Sequence, residues 1–241
     1  GRLLVNYLAM KEHQWIIVGY PGYIDVLVAR TLNWRRRRRI ALVAFISLYD
    51  TAVLDRVQVS TSSWKGKLFK ALDRISFAAA DIVLVDTNAH GQHFSDLFGL
   101  PRHKFVRSFV GEDDDEFRPL DRRPPASDLP GFEALFFGTY VPLHGIEVIV
   151  DAAHLLSQEK DINITVIGTG QLFPQIRQDA ERRDVNNIVF IDRWVGTDEL
   201  IAYIERAHAC LGIFGSTPKA GRVIPYKVFD ALAMHKPVIT R

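Results

Sequence analysis

Short apolar runs alternate with longer amphipathic stretches along almost the whole sequence. The runs at 134–137 and 162–167, for example, each end at a glycine and lead into a stretch with apolar residues at helical spacing. A short apolar run bounded by glycine is typical of a buried strand, and alternating strands and helices predict parallel sheets covered by helices on both faces. The sequence therefore predicts an α/β fold.

A change of composition divides the chain near its middle. Five consecutive acidic residues at 112–116 are followed by several prolines. This composition predicts a linker at 113–130, with one domain at 1–112 and another at 131–241. We expect both domains to be Rossmann-like, with parallel sheets that face a cleft.

The two ends of the chain look incomplete. Residues 3–10 have a helical pattern, and the chain stops just after a predicted strand at 237–240. We therefore expect the sequence to be truncated at both termini, and we expect residues 1–241 alone to be poorly active.

Composition argues against several classes of function. The formal net charge is only +2, which gives no support to nucleic-acid binding. The single cysteine, Cys210, excludes a disulfide framework and favours a reducing, cytoplasmic location. Neither a complete G-x-G-x-x-G nor a Walker motif occurs, which disfavours a dinucleotide cofactor and a Walker-type ATPase. His90 and His93 have no third ligand nearby, so they are predicted to be surface residues of a helix rather than metal ligands.

A run of five arginines, from Arg35 to Arg39, is the densest positive charge in the sequence. Like charges repel, so such a run is usually solvated. The alternative is contact with an anionic membrane surface, and the adjacent Trp34 is compatible with interfacial anchoring. Under that alternative the protein would lie peripherally at the inner face of the membrane.

The stretch at 209–240 carries a candidate anion site. A predicted strand is followed by a loop with Lys219 and Arg222, and a helix is predicted to open at Pro225. The free N–H groups of a helix N-terminus favour anions, so Lys219, Arg222 and Lys227 are predicted to surround a phosphate. Asp230 follows on the same helix face as Lys227 and could hold hydroxyl groups. The alternative is a solvated basic loop before an ordinary helix.

Other candidate residues follow predicted strands. Gly138, Gly168 and Gly170 could let a ligand approach backbone N–H groups, although tight turns explain each glycine equally well. His144, at a helix entrance, could contact a phosphate or only cap the helix. Asp50 follows the strand predicted at 40–46, at the sheet edge where ligands gather, but it could also be a helix cap.

Three motifs together resemble the family-4 retaining glycosyltransferases of the GT-B fold, in particular a bacterial polysaccharide-building subgroup. They read FFGTYVPLHGIEVIVDAAHLL, ITVIGTGQ and LGIFGSTPKAGRVIPYKVFDALAMHKPVIT. The resemblance implies an enzyme that moves a sugar from a nucleotide-diphosphate donor to a glycan or lipid-linked acceptor. It also implies retention of configuration without a metal or cofactor, with the donor on the second domain and the acceptor on the first.

The resemblance also implies roles for individual residues. Asp230 would hold the ribose, Asp50 would lie near the acceptor or the transferred sugar, and Lys219 and Arg222 would neutralise the leaving diphosphate as catalytic residues. The implied donor site consists of Gly138, Thr139, His144, Gly168, Gly170, Phe214, Gly215, Lys219, Arg222, Ile224, Lys227 and Asp230.

Five positions depart from the family pattern. Arg222 stands where relatives carry the first of two paired acids, and Thr139 and His144 stand where a basic pair is usual. Tyr49 replaces the histidine of a His–Asp pair, and His235 replaces a glycine at a helix end. Two alternatives therefore stay open: a nucleotide-sugar 2-epimerase of the same fold, and a non-catalytic scaffold that binds nucleotide or membrane.

Overall fold

The computed structural model describes residues 13–35, 38–113, 115–119, 131–159 and 161–241. The chain divides into two compact units, Gly1–Phe109 and Val110–Arg241, and each contains one sheet of parallel strands. This confirms the predicted α/β fold with two Rossmann-like units. The predicted N-terminal helix, Arg36, Arg37 and most of the predicted linker lie outside the described residues.

The first unit contains a four-stranded sheet. Its elements are β1 (Trp15–Val18), α1 (Asp25–Leu32), β2 (Arg39–Val43), α2 (Trp64–Ala79), β3 (Ile82–Val85), α3 (Asn88–Phe98) and β4 (Phe105–Arg107). The strands lie in the order β1-β2-β3-β4. The core is formed by apolar residues of β2 and β3 packed against aromatic residues of the helices, such as Phe77 and Phe94.

The strand predicted at 40–46 is shorter in the structure and ends at Val43. The chain then turns into a π-helix at Asp50–Asp55, which the sequence did not predict. Asp50 is therefore the first residue of a short helix that follows the carboxyl end of β2.

The second unit contains a five-stranded sheet in the order β7-β6-β5-β8-β9. Its elements are β5 (Phe132–Phe137), α4 (Ile146–Leu155), β6 (Ile162–Ile167), α5 (Phe173–Arg182), β7 (Ile188–Ile191), α6 (Thr197–Arg206), β8 (Ala209–Leu211), α7 (Tyr226–Ala233) and β9 (Val238–Ile239).

Alternate residues of the central strand β5 enter two different clusters of the second unit. Phe136 packs with residues of α4 and α5, whereas Leu135 and Phe137 pack with residues of α6 and α7. Side chains of a strand alternate between its two faces, so helices cover both faces of this sheet. Cys210 of β8 is buried in the second cluster.

Helix boundaries differ from the prediction by one or two residues. Thr87 caps α3, because its Oγ accepts a hydrogen bond from the His90 N–H at 3.0 Å. Gly196 occupies the cap position of α6, and Thr197 is the first helical residue. Pro225 was predicted to be the first residue of α7, but it is the cap, and the helix begins at Tyr226. His235, at the helix end where the resemblance implies a glycine, adopts a left-handed conformation with φ of 55°.

Among the residues that the structure describes, no helix is both long and apolar enough to cross a bilayer.

Candidate functional site

Three turns meet at the carboxyl edge of the second sheet. Strand β5 lies between β6 and β8, so the turns that follow these strands are neighbours. A Cβ atom at Gly168 would overlap the carbonyl oxygen of Gly138, and one at Gly145 would overlap the backbone of Gly215. The glycines are required because the turns pack backbone against backbone. This packing brings the predicted residues Gly138, Gly168 and Gly215 to one edge.

Lys227 is a buried cation at this edge. It is the second residue of α7, only 6% of it is exposed, and its Nζ lies 3.7 Å from the centroid of the Phe136 ring. A Cβ atom at Gly138 would lie 2.7 Å from this Nζ. Among the described residues, the Nζ has no hydrogen-bond partner. Burial holds the pKa of Lys227 well below its usual range, and an anion at this place would restore the charged form.

Asp230 lies one turn further along α7 and is also buried. Its pKa is raised to about 8, mainly by burial and then by a hydrogen bond with the carboxyl group of Glu112, while Lys227 acts in the opposite direction. Asp230 therefore retains a proton at neutral pH in the ligand-free protein. The structure joins Asp230 and Lys227 as the sequence predicted.

Glu112 is a contact of Asp230 that sequence reasoning missed. Its segment was interpreted as the start of a linker because of its acids and prolines. Phe117, in the same segment, is buried in the core of the second unit beside Ile204 and Ala231. An isolated large apolar residue in an acidic stretch was the signal that could have placed this segment against the unit.

The loop before α7 carries the two other predicted cations. The N–H of Arg222 donates to the carbonyl oxygen of Lys219 at 2.9 Å, so the two residues lie in one turn. Lys219 is only 7% exposed, which differs from a solvated basic loop. Phe214 is partly buried, and Ile224 is exposed.

His144 lies beside Gly138 and Lys227. Its Nδ1 donates a hydrogen bond to the carbonyl oxygen of Thr139, and its ring meets the Phe136 ring edge-on with centroids 5.5 Å apart. Its carbonyl oxygen accepts a hydrogen bond from the Phe214 N–H at 3.0 Å. These contacts fix the orientation of the imidazole.

The remaining predicted site residue, Asp50, lies in the first unit and is fully buried. Its Oδ1 accepts a hydrogen bond from Nε2 of His93 at 2.9 Å, and its N–H donates to Ser47 Oγ at 2.9 Å. The prediction that His90 is a surface residue is wrong, because His90 is fully buried with its Nδ1 2.7 Å from an oxygen of Asp86. The spacing of Asp86 and His90, four residues apart in the sequence, was the signal for this pair.

Within the described part of the chain, no group of three or more His, Cys, Asp or Glu residues is arranged to hold a metal ion.

A comparison with protein families matches residues 131–241 to the family described as "Glycosyl transferases group 1". The comparison with curated proteins found no significant match. The matched residues include every predicted donor-site residue and exclude Asp50.

Solved structures share the fold over almost the whole chain. HepE of Anabaena in complex with UDP has a TM-score of 0.71 and 12% identity, over 99% of this chain and 62% of that one. Sucrose-phosphate synthase of Thermosynechococcus elongatus has a TM-score of 0.67 and 16% identity, over 99% and 58%. A mutant of TarM of S. aureus in complex with Fondaparinux, alpha-GlcNAc-glycerol and UDP has a TM-score of 0.61 and 13% identity, over 99% and 44%. The chain thus spans about three fifths of the length of the first two.

Proposed function

We propose, from the premise that residues 131–241 are a glycosyl transferases group 1 domain, that this protein transfers a sugar from a nucleotide-diphosphate donor to a glycan or lipid-linked acceptor. The observation that carries the proposal is the buried Nζ of Lys227, which has no hydrogen-bond partner among the described residues. HepE, which has the same fold, was solved with UDP and with UDP-glucose, which favours a UDP-sugar as the donor.

The proposed donor site uses the residues at the carboxyl edge of the second sheet. Lys227 and the free N–H groups of the first turn of α7 bind the diphosphate, and the loop with Lys219 and Arg222 supplies further positive charge. Asp230 holds the ribose, and the turns at Gly138 and Gly168 let the donor approach the backbone.

Protein cations and a helix N-terminus are sufficient to compensate a diphosphate, so the proposal includes transfer without a metal or cofactor. It also includes retention of configuration, in which the leaving diphosphate helps to deprotonate the acceptor. A strong protein base is then unnecessary.

Titration of the protein with UDP, UDP-glucose and a GDP-sugar by calorimetry, with and without EDTA, tests the donor site. A hydrogen bond to a charged group contributes about 1.5–3 kcal/mol, so we expect Lys219→Ala and Arg222→Ala each to weaken UDP binding about tenfold or more. Arg177→Ala, at a solvent-exposed position on α5, is the control. Unchanged affinity in both variants would overturn the diphosphate assignment, and loss of binding in EDTA would overturn metal independence.

One observation favours a non-catalytic scaffold as the second candidate. Arg222 stands where relatives carry an acid, so a nucleotide site could persist without transfer. Product analysis with UDP-glucose separates the possibilities. Hydrolysis or transfer of the donor excludes the scaffold, and conversion of the donor without an acceptor identifies a 2-epimerase.

The proposal extends to a cytoplasmic protein that contacts an anionic membrane surface through the arginines from Arg35 to Arg39. Trp34 supports this, because it is 77% exposed and the Arg35 guanidinium lies 5.8 Å from its ring centroid. Sedimentation with phosphatidylglycerol vesicles at low and high salt tests the contact. Binding that is lost in Trp34→Ala supports it, whereas no binding at low salt contradicts it.

A further inference from the structure

The first unit contains an arrangement of polar side chains that joins two distant parts of the chain. Strands β2 and β3 are parallel neighbours, so the segments that follow them meet at one edge of the sheet. Asp50 follows β2, His93 lies on the helix after β3, and their side chains meet at 2.9 Å. We propose that His93 contacts a hydroxyl group of the acceptor and that Asp50 is the residue that positions it. This inference rests on the proposed sugar transfer.

Asp50 is held in place by a buried network. Asp73 of α2 is fully buried and accepts hydrogen bonds from Ser47 Oγ at 2.7 Å, from the Tyr49 N–H at 2.8 Å and from the Leu48 N–H at 3.2 Å. Ser47 Oγ in turn accepts from the Asp50 N–H. The backbone that carries Asp50 is therefore fixed to α2, and the carboxylate has a single place to lie.

Asp50 in turn fixes the imidazole of His93. A carboxylate accepts hydrogen bonds, so Nε2 of His93 carries a proton, and in the neutral imidazole the lone pair then lies on Nδ1. The side chain is 21% exposed, and Nδ1 makes no hydrogen bond to a described residue. The ring is thus oriented, with an accessible acceptor atom that can take a hydrogen bond from a hydroxyl group.

His90 provides an internal contrast. It lies one turn earlier on the same helix and also pairs with an aspartate, but its side chain is fully buried. A purely structural histidine on α3 is therefore enclosed, whereas His93 reaches the surface. The same comparison explains why His93, rather than Asp50, is the residue that can touch a substrate.

The chemistry of the pair favours the acceptor as its ligand. The proposed diphosphate site lies entirely within the second unit, and ligands of open α/β sheets bind at the carboxyl ends of the strands. A substrate held at this edge of the first sheet is then the second substrate. Sugars and glycans present hydroxyl donors, which match the lone pair of Nδ1.

The test compares His93→Gln with His93→Ala, and uses His103→Gln as the control at an exposed histidine of the same unit. Glutamine can still donate an amide hydrogen to Asp50, and its carbonyl oxygen can accept a hydrogen bond as Nδ1 does, whereas alanine can do neither. Three quantities are measured: the Kd for UDP, hydrolysis of UDP-glucose in the absence of acceptor, and transfer of glucose to a panel of octyl glycosides.

We expect His93→Ala to keep UDP binding and hydrolysis within about twofold, whereas its transfer to the octyl glycosides should fall about 10- to 100-fold, the range associated with loss of a positioning contact. His93→Gln should retain the wild-type melting temperature and recover most of the transfer, and His103→Gln should show no loss.

Each other result overturns a specific statement. Transfer that is retained in His93→Ala overturns the proposal alone and leaves a structural role for the pair. A parallel loss of hydrolysis and transfer assigns His93 to the donor sugar and overturns the acceptor assignment. A wild-type protein that does not bind UDP, or that transfers to none of the glycosides, overturns the proposed function and this inference with it.

Discussion

Lys227 combines two properties that oppose each other in a folded protein. An amino group is favoured in its charged form by water or by an anion, yet this one is buried against Phe136 and beside Gly138. Burial lowers its pKa, so the folded state holds this proton less tightly than the unfolded state does. A residue of this kind costs stability when the ligand is absent.

Lys227→Met should therefore bind UDP at least tenfold more weakly and yet melt at a higher temperature at pH 7. The unfolded state holds the lysine proton below its ordinary pKa of about 10.4, so the stability of the wild type should rise as the pH approaches that value. The gain in melting temperature should then shrink at pH 10. Arg177→Met is the control, and a lower melting temperature at pH 7 would contradict this account.

For Asp230 we expect the opposite dependence of folding stability on pH. Its pKa is about 8 in the folded protein, chiefly because of burial, and about 3.9 in an unfolded chain. Between these values the folded state holds a proton that the unfolded state has released, so the contribution of Asp230 to stability falls as the pH rises. Asp230→Asn removes this loss, and its melting temperature should exceed that of the wild type by more at pH 8 than at pH 5. A difference that is independent of pH would show that Asp230 is not the group involved.

At the scale of elements, the capping hydrogen bonds at the ends of helices can be tested by mutation. Thr87 accepts a hydrogen bond from a first-turn N–H of α3, whereas Thr197 is the first residue of α6 and caps nothing. Loss of a capping hydroxyl costs about 1 kcal/mol. Thr87→Ala should lower the free energy of unfolding by about that amount, and Thr197→Ala by much less. Denaturant titration of both variants measures this, and equal losses would contradict the assignment.

The strands and helices themselves could be predicted because their apolar residues repeat with a local period. Strand β6 has the predicted bounds, since a glycine marks its end in the sequence. The π-helix at Asp50–Asp55 has no such signal. It depends on hydrogen bonds from its entry segment to Asp73, which is more than twenty residues away.

The contacts of the candidate site likewise fall into those that the sequence could predict and those that it could not. Lys227 and Asp230 share a helix face, so their proximity follows from spacing alone. The pairs Asp50–His93 and Asp230–Glu112 join distant parts of the chain, and only the packing of the folded units brings them together.

At the scale of the whole molecule, each unit has apolar clusters of its own. A ligand that binds one unit stabilises that unit by an amount set by its concentration and Kd. With UDP present, we expect slower amide hydrogen exchange at the turns after β5 and β6 and in the first turn of α7. Exchange measured by mass spectrometry checks this, and protection restricted to elements of the first unit would contradict the proposed site.

Cys210 has a practical consequence for such experiments. It is the only thiol of this chain, it lies in the core of the second unit, and burial raises its pKa to about 12. Because the thiolate is the reactive form, a disulfide reagent at neutral pH should modify the chain only after that unit opens. The rate at which Cys210 is modified therefore reports how often the second unit opens, and a bound nucleotide should lower that rate. No label has to be engineered into the chain.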